Sequence, residues 1–198
     1  MRKIILALIG IALLLATKAY AYDDHDFQVW NTDVEEMKIN ERWKVATEQE
    51  FRWGDNASQM FYQHYDFGAF YTFNKYVSVG TGYRHILSKS KGEYKIENEP
   101  YITATASWEL AGFKFEDRNR FEYQHFDYQT DNGRYRNKIM MKLPWKFSKR
   151  EIQPFVSDEV FVRFMQKDPF NQNRFSAGFA VTVTKNIKGE AFYMLQSS

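Results

Sequence analysis

From Trp43 onward the chain alternates between apolar and polar side chains, segment after segment. A period of two is the repeat of an extended strand, whose successive side chains leave opposite faces of a sheet. Over residues 43–53 one phase carries Trp43, Val45, Thr47, Phe51 and Trp53, and the other Lys44, Ala46, Glu48, Glu50 and Arg52. The same division recurs over residues 65–73 (Tyr65, Phe67, Ala69, Tyr71 and Phe73 against Asp66, Gly68 and Thr72) and over 77–84, where Val77, Val79 and Tyr83 oppose Gly80, Gly82 and Arg84. Further on, Ile102, Ala104, Ala106 and Trp108 oppose Thr103, Thr105 and Ser107, with Glu97 and Glu99 upstream on that polar phase. Phe113, Phe115, Phe121 and Tyr123 oppose Glu116, Arg118, Arg120 and Glu122; Ile139, Met141, Leu143 and Trp145 oppose Arg136, Lys138 and Lys142. Near the end, Phe175, Ala177, Phe179 and Val181 oppose Arg174, Ser176, Gly178 and Thr182. Register in such a chain is strongly constrained, because a slip of one residue exchanges the two faces completely.

The first 21 residues read differently. Arg2 and Lys3 precede an apolar stretch at 4–16, and Ala19-Tyr20-Ala21 offers small residues at an A-x-A cleavage position. This is the layout of a cleavable export signal, and the apolar stretch is too short to span a bilayer as a helix. Residues 1–21 are therefore expected to be a leader and 22–198 one domain of 198 − 21 = 177 residues. The leader holds Arg2, Lys3 and Lys18, so the mature chain has 27 − 3 = 24 basic and 25 acidic residues. A net charge of −1 gives no electrostatic footprint for nucleic acid. The chain has no cysteine, so an exported fold cannot be disulfide-stapled.

An exported chain of this pattern is expected to be all-β: an antiparallel up-and-down transmembrane β-barrel of about 10–12 strands in the outer membrane of a Gram-negative bacterium, its apolar phase against lipid. The alternative is a soluble periplasmic β-barrel binding an apolar ligand. It would enclose the apolar phase, whereas enclosing the charged phase of a soluble barrel would carry a heavy desolvation cost. Two segments depart from the pattern: Asp117 and Asn119 fall on the lipid phase, and so does Asp158 if Val156, Val160 and Val162 point outward and Ser157, Glu159 and Arg163 inward. Polar links at 87–94, 128–134 and 167–173 alternate with shorter ones at 74–75, 110–112, 148–151 and 185–189, as external loops alternate with periplasmic turns. Trp43, Phe73, Trp108, Phe113, Trp145 and Phe147 cluster beside the short turns, where an interfacial aromatic girdle belongs. A first strand over 26–38 then starts at the outer end. The chain stops at Gln196-Ser197-Ser198 rather than on an aromatic-ended strand, so a final closing strand is expected to be missing.

The stretches DFQVW (26–30), WKVATEQEFRW (43–53), GTGYRH (80–85), RYRNKIMMKLPW (134–145), PFVSDEVF (154–161) and residues 173–196 together resemble the bacterial domain-of-unknown-function 2490 family. The resemblance covers nearly all of the mature chain. It implies an exported, outer-membrane-type β-barrel and carries no established activity.

The expected lumen charge set is Glu48, Glu50, Arg52, Arg84, Glu97, Glu99, Glu116, Arg118, Arg120, Glu122, Arg136, Lys138, Lys142, Glu159 and Arg163. In a narrow barrel opposite charges on neighbouring strands can pair and fill the interior, a structural role. The other reading is a narrow diffusion pore for small polar solutes, with Arg118, Arg120, Arg136, Lys138 and Lys142 favouring an anionic one. An outer-membrane lipid acyl hydrolase or transferase would need a histidine-activated serine. His85 near Ser88 and His125 near Asp127 are the nearest approach to one, so no enzymatic role is expected. No spacing points to a metal or cofactor. The expected partners are outer-membrane lipid and a small polar or anionic solute. Gly80 and Gly82 alternate within a strand and are expected to relieve crowding.

Overall fold

The computed structural model describes residues 26–90, 92–148, 151–164, 169–184 and 186–197; the expected leader lies outside them. Ten strands follow one another: β1 (Val29–Lys38), β2 (Trp43–Gly54), β3 (Gln59–Thr72), β4 (Val77–Ser90), β5 (Glu93–Leu110), β6 (Phe113–Phe126), β7 (Asn132–Lys142), β8 (Gln153–Arg163), β9 (Phe170–Thr182) and β10 (Lys188–Ser197). Each pairs antiparallel with the next, in the order β1 to β10, as one up-and-down sheet without helices among the described residues.

The sheet curls. Arg174 on β9 lies over the ring of Trp30 on β1, 4.9 Å from its centroid, although seven strands separate them in the sheet. Only a sheet that curls round on itself brings such strands together. The polar phase lines the concave face, and the register places it there on every strand from β2 to β9: Glu50 opposite His64, Asp66 opposite Arg84, Arg120 opposite Arg136, Lys138 opposite Glu159. The apolar phase is convex and exposed, with Phe67, Ile102, Phe121, Ile139 and Phe179 each 43–62% accessible. β1 breaks this pattern by turning Asn31, Asp33 and Glu35 to the convex side, in register with Phe51, Gln49 and Thr47. No described residue pairs β1 with β10, so the sheet has two free edges.

The expected misfits prove to be neighbours. Asn137 donates its Nδ2 to Asp117 Oδ1 (2.5 Å) and Asn119 Oδ1 (3.2 Å), Tyr135 donates its hydroxyl to Asn119, and Asn173 donates to Asp158 Oδ1 (3.0 Å). Asp117, Asn119, Asn137, Asp158 and Asn173 thus form a mid-height convex patch across β6 to β9, in which Asn137 bonds Asp117 and Asn119, and Asn173 bonds Asp158. Mutual hydrogen bonding reduces the cost that each would carry alone against an apolar medium.

The connections correct the sequence expectation. Residues 87–94, expected as a long loop, belong almost wholly to β4 and β5, with Leu87 opposite Ile96 and Lys89 opposite Tyr94. The longest connection is 143–152, at the end expected to carry short turns. Pro144 has no N–H to give a ladder, so β7 stops at Lys142 and Leu143 turns inward to become buried. Loop length therefore does not orient this sheet. The end bearing the connections after β2, β4, β6 and β8 is called the upper mouth below, the other the lower mouth.

Trp43, Trp108 and Phe113 do lie at the lower ends of their strands, on the convex face; Phe73 follows β3 and packs edge-on against Tyr71 at 4.9 Å. Trp145 and Phe147 lie in the 143–152 connection rather than on a strand. Two concave glycines make room for a large side chain. A Cβ on Gly82 would collide with the Tyr101 hydroxyl, and one on Gly68, its partner in register, would lie 3.0 Å from the same oxygen.

Candidate functional site

Inside the curl, charged side chains meet at mid-height because antiparallel register puts acids and bases at the same level on adjacent strands. Two networks result. The first spans β2 to β5. Arg84 donates Nε to Asp66 Oδ2 (3.0 Å) and Nη2 to Glu48 Oε1 (3.2 Å), and the Tyr101 hydroxyl donates to Asp66 Oδ1 (2.7 Å). His64 lies between Glu48 (Nε2 to Oε1, 2.9 Å) and the Tyr62 hydroxyl (3.1 Å from Nδ1). A neutral ring protonated on Nε2 satisfies both contacts.

The second network runs from β5 to β9. Arg134 donates Nε to Glu122 Oε2 (2.6 Å) and bonds Glu99 through Nη2. Arg136 donates Nη1 to Glu122 Oε1 (2.9 Å) and Nη2 to Glu159 Oε1 (2.9 Å). Glu159 also accepts from Arg118 Nη2 at 3.0 Å, and its other oxygen lies 3.9 Å from Arg174. Gln124 donates to Glu97 and Glu99. Arg120 joins the two networks: its guanidinium is 4.0 Å from the Tyr101 ring centroid and 3.7 Å from Glu122.

The centre of the two networks is dry, while Glu48 and Arg118 at its border are 29% and 27% exposed in their side chains. Glu99 and Gln124 are fully buried, His64 is 1% exposed, Glu122 3% and Arg120 5%. Charges so far from water persist only when paired. The pairing is incomplete: among the described residues Glu99 Oε2, Gln124 Oε1, Asn132 Oδ1 and Nδ2, Arg163 Nε and Asn171 Oδ1 on the upper half of the sheet, and Arg120 Nε and Nη1 at mid-height, have no hydrogen-bond partner in the protein. Above and below the layer the lumen opens. The lower cavity, about 600 Å³, is lined by charges of both signs, among them Glu109, Lys114, Glu116 and Lys142. The upper one, about 320 Å³, is lined by Trp30, Arg52, Tyr62, Lys95 and Arg174.

The fifteen residues expected in the lumen all sit on the concave phase, but they do not form one group. Glu48, Glu50, Arg84, Glu97, Glu99, Arg118, Arg120, Glu122, Arg136 and Glu159 belong to the buried layer or border it. Lys138 stands opposite Glu159 in register, and Arg163 opposite Arg134. Glu116 and Lys142 line the lower cavity, where Lys142 bonds Glu190 (2.9 Å), and Arg52 lines the upper one. The expected basic stripe is not free: Arg118 and Arg136 are neutralised by Glu122 and Glu159. Sequence reasoning missed Arg134, placed there in a loop, although the polar phase of β7 runs on unbroken through Asn132 and Arg134. It also missed His64, Tyr101 and Gln124, neutral residues whose roles only cross-strand register reveals. Of the histidines, His85 bonds Asn98 (2.8 Å) on the convex side while Ser88 lines the upper cavity, so the sheet separates them. His125 bonds Asp131 (2.9 Å).

Fold and site define a class: a curled up-and-down β-sheet protein with an ionic interior and an apolar exterior. The profile of the family described as Protein of unknown function (DUF2490) matches residues 27–198, and the chain belongs to that family. No curated protein and no solved structure matches it.

Proposed function

We propose that the protein is exported to the bacterial outer membrane, spans it as a β-barrel with its convex face in lipid, and serves a structural role with a sealed lumen. The observation that carries this reading is the inversion of polarity: Ile102 is 62% exposed while Glu99, three residues earlier on β5 and on the other face, is fully buried. A water-soluble fold gains by burying its isoleucines and wetting its glutamates; a bilayer reverses both preferences. The soluble apolar-ligand reading requires an apolar interior, and the concave face is ionic. An open sheet edge is not viable in hydrocarbon, so insertion requires the free edges of β1 and β10 to be covered. The Trp30–Arg174 contact already draws this side of the curl together at the upper mouth.

The paired layer favours a closed lumen over a diffusion pore, since the ion pairs carried by successive strands from β2 to β9 occupy the space a solute would cross. The separation of His85 from Ser88 argues against an acyl hydrolase. The test is planar-bilayer recording of the full-length protein, with fractionation and heat-modifiable gel mobility establishing insertion. The expected result is a detergent-requiring, heat-modifiable protein with no unitary conductance. Steady ion-selective steps would replace the structural reading with the pore, and free release with the periplasm would refute the membrane reading.

A further inference from the structure

The upper cavity differs from the lower one in charge. Four cations border it, Arg52, Lys89, Lys95 and Arg174, and no carboxylate lines it. Two of them are held in place by aromatic faces. The Arg52 guanidinium lies between Trp30 (3.6 Å to the ring centroid) and Tyr62 (3.9 Å), and Arg174 lies over Trp30 at 4.9 Å and over Phe161 at 4.7 Å. Lys95 stands over Tyr128 at 4.6 Å. The acids within reach do not balance the set. Glu50 pairs with Arg52 (2.6 Å), whereas Glu159, 3.9 Å from Arg174, is shared with Arg118 and Arg136. Neither lysine has a carboxylate partner within 4 Å among the described residues.

The cavity also has a floor. Tyr62 lines it and its hydroxyl rests on His64, 1% exposed; Arg174 lines it and rests on Phe161, 2% exposed. Side-chain amides of Gln172 and Gln196 complete the wall, and Gln196 accepts from Arg174 Nε (2.9 Å). Cations fixed by ring stacking and left short of counter-charge lose little freedom on meeting an anion, and guanidinium groups fit tetrahedral oxyanions by paired N–H bonds. A space of about 320 Å³ suits a ligand no larger than a monosaccharide derivative.

We propose that the upper mouth is a blind cup that binds a small phosphate- or sulfate-bearing anion, its charge held by Arg52, Arg174 and Lys95 and its hydroxyls by the glutamine amides. The cup needs the sheet to curl as described but does not depend on the membrane reading. The phosphate could belong to a soluble sugar phosphate or to a lipid headgroup. The test is calorimetric titration of the folded full-length protein in detergent with inorganic phosphate, glucose 6-phosphate, short-chain dihexanoyl phosphatidic acid and uncharged glucose. Binding of a phosphate-bearing probe but not of glucose is expected, with a loss of about tenfold or more in affinity on Lys95→Glu. Lys95 lies at the rim, so this variant keeps the fold; Arg174→Gln, checked by gel mobility, is the second. Preference for glucose 6-phosphate assigns a soluble ligand, and preference for the short-chain lipid a headgroup. Absence of binding by all three phosphates, or binding that both variants leave unchanged, overturns the proposal.

Discussion

Glu159 is one of two carboxylates that tie the interior together: 6% exposed, it serves Arg118, Arg136 and, at longer range, Arg174, as Glu122 serves Arg134, Arg136 and Arg120. Removing the Glu159 charge leaves Arg118 and Arg174 without a carboxylate within 4 Å among the described residues and Arg136 with Glu122 alone. Glu159→Gln is expected to destabilise the folded state by about 3–5 kcal/mol, measured by reversible denaturant unfolding in detergent or bilayer, since an uncompensated buried charge costs far more than an exposed pair contributes. A change below about 0.5 kcal/mol would mean that water reaches the layer. Asp131, in the connection after β6, presents the opposite case at the surface. Bonds from the His125 ring, the Tyr123 hydroxyl and the Phe126 amide hold its carboxyl down to about 2. A depressed carboxyl stabilises its loop in full above the ordinary value of 3.8, and the stabilisation fades as pH falls through about 2. Carboxyl NMR titration should therefore show Asp131 still ionised at pH 3, and Asp131→Asn should loosen residues 127–131 at neutral pH.

Among the strands, the convex polar patch is the feature that one-dimensional reading saw only in pieces. Asp117, Asn119 and Asp158 each look misplaced along their own strand, because alternation concerns one strand at a time. Register joins Asp117 and Asn119 through Asn137, and Asp158 with Asn173, as two bonded sets on the same face. A double-mutant cycle between Asp117→Leu and Asn137→Leu should give a coupling of about 0.5–2 kcal/mol, the double variant being less destabilised than the sum of the singles. Additive effects would show that the pair does not act as a unit. The same distinction explains how far the sequence was legible. Period-two alternation located the sheet and its two faces, and Gly80 and Gly82 could be read as space for neighbours, which the Phe70 ring takes at Gly80 and the Tyr101 ring at Gly82. Strand ends were misjudged where polar residues such as Lys89 and Glu93 mimic a loop yet continue the ladder, or where Pro144 stops a strand whose apolar pattern runs on. Which charges pair was hidden, because Glu99 and Arg134 lie on strands separated by β6 and meet only through curvature.

For the whole molecule, everything depends on which side of the sheet meets hydrocarbon. The proposed membrane role joins the dry concave layer to the exposed convex aromatics through one condition, that lipid covers the convex face. Single nitroxide labels in the protein reconstituted into bilayers test this directly, at Ile102 and Phe179 on the convex face and at Ser78 and Thr105, which face each other in register on the concave one. The labels at 102 and 179 should be relaxed by oxygen dissolved in the bilayer and shielded from a water-soluble nickel complex, with the opposite response at 78 and 105. Free access of the nickel complex to positions 102 and 179 would contradict the account.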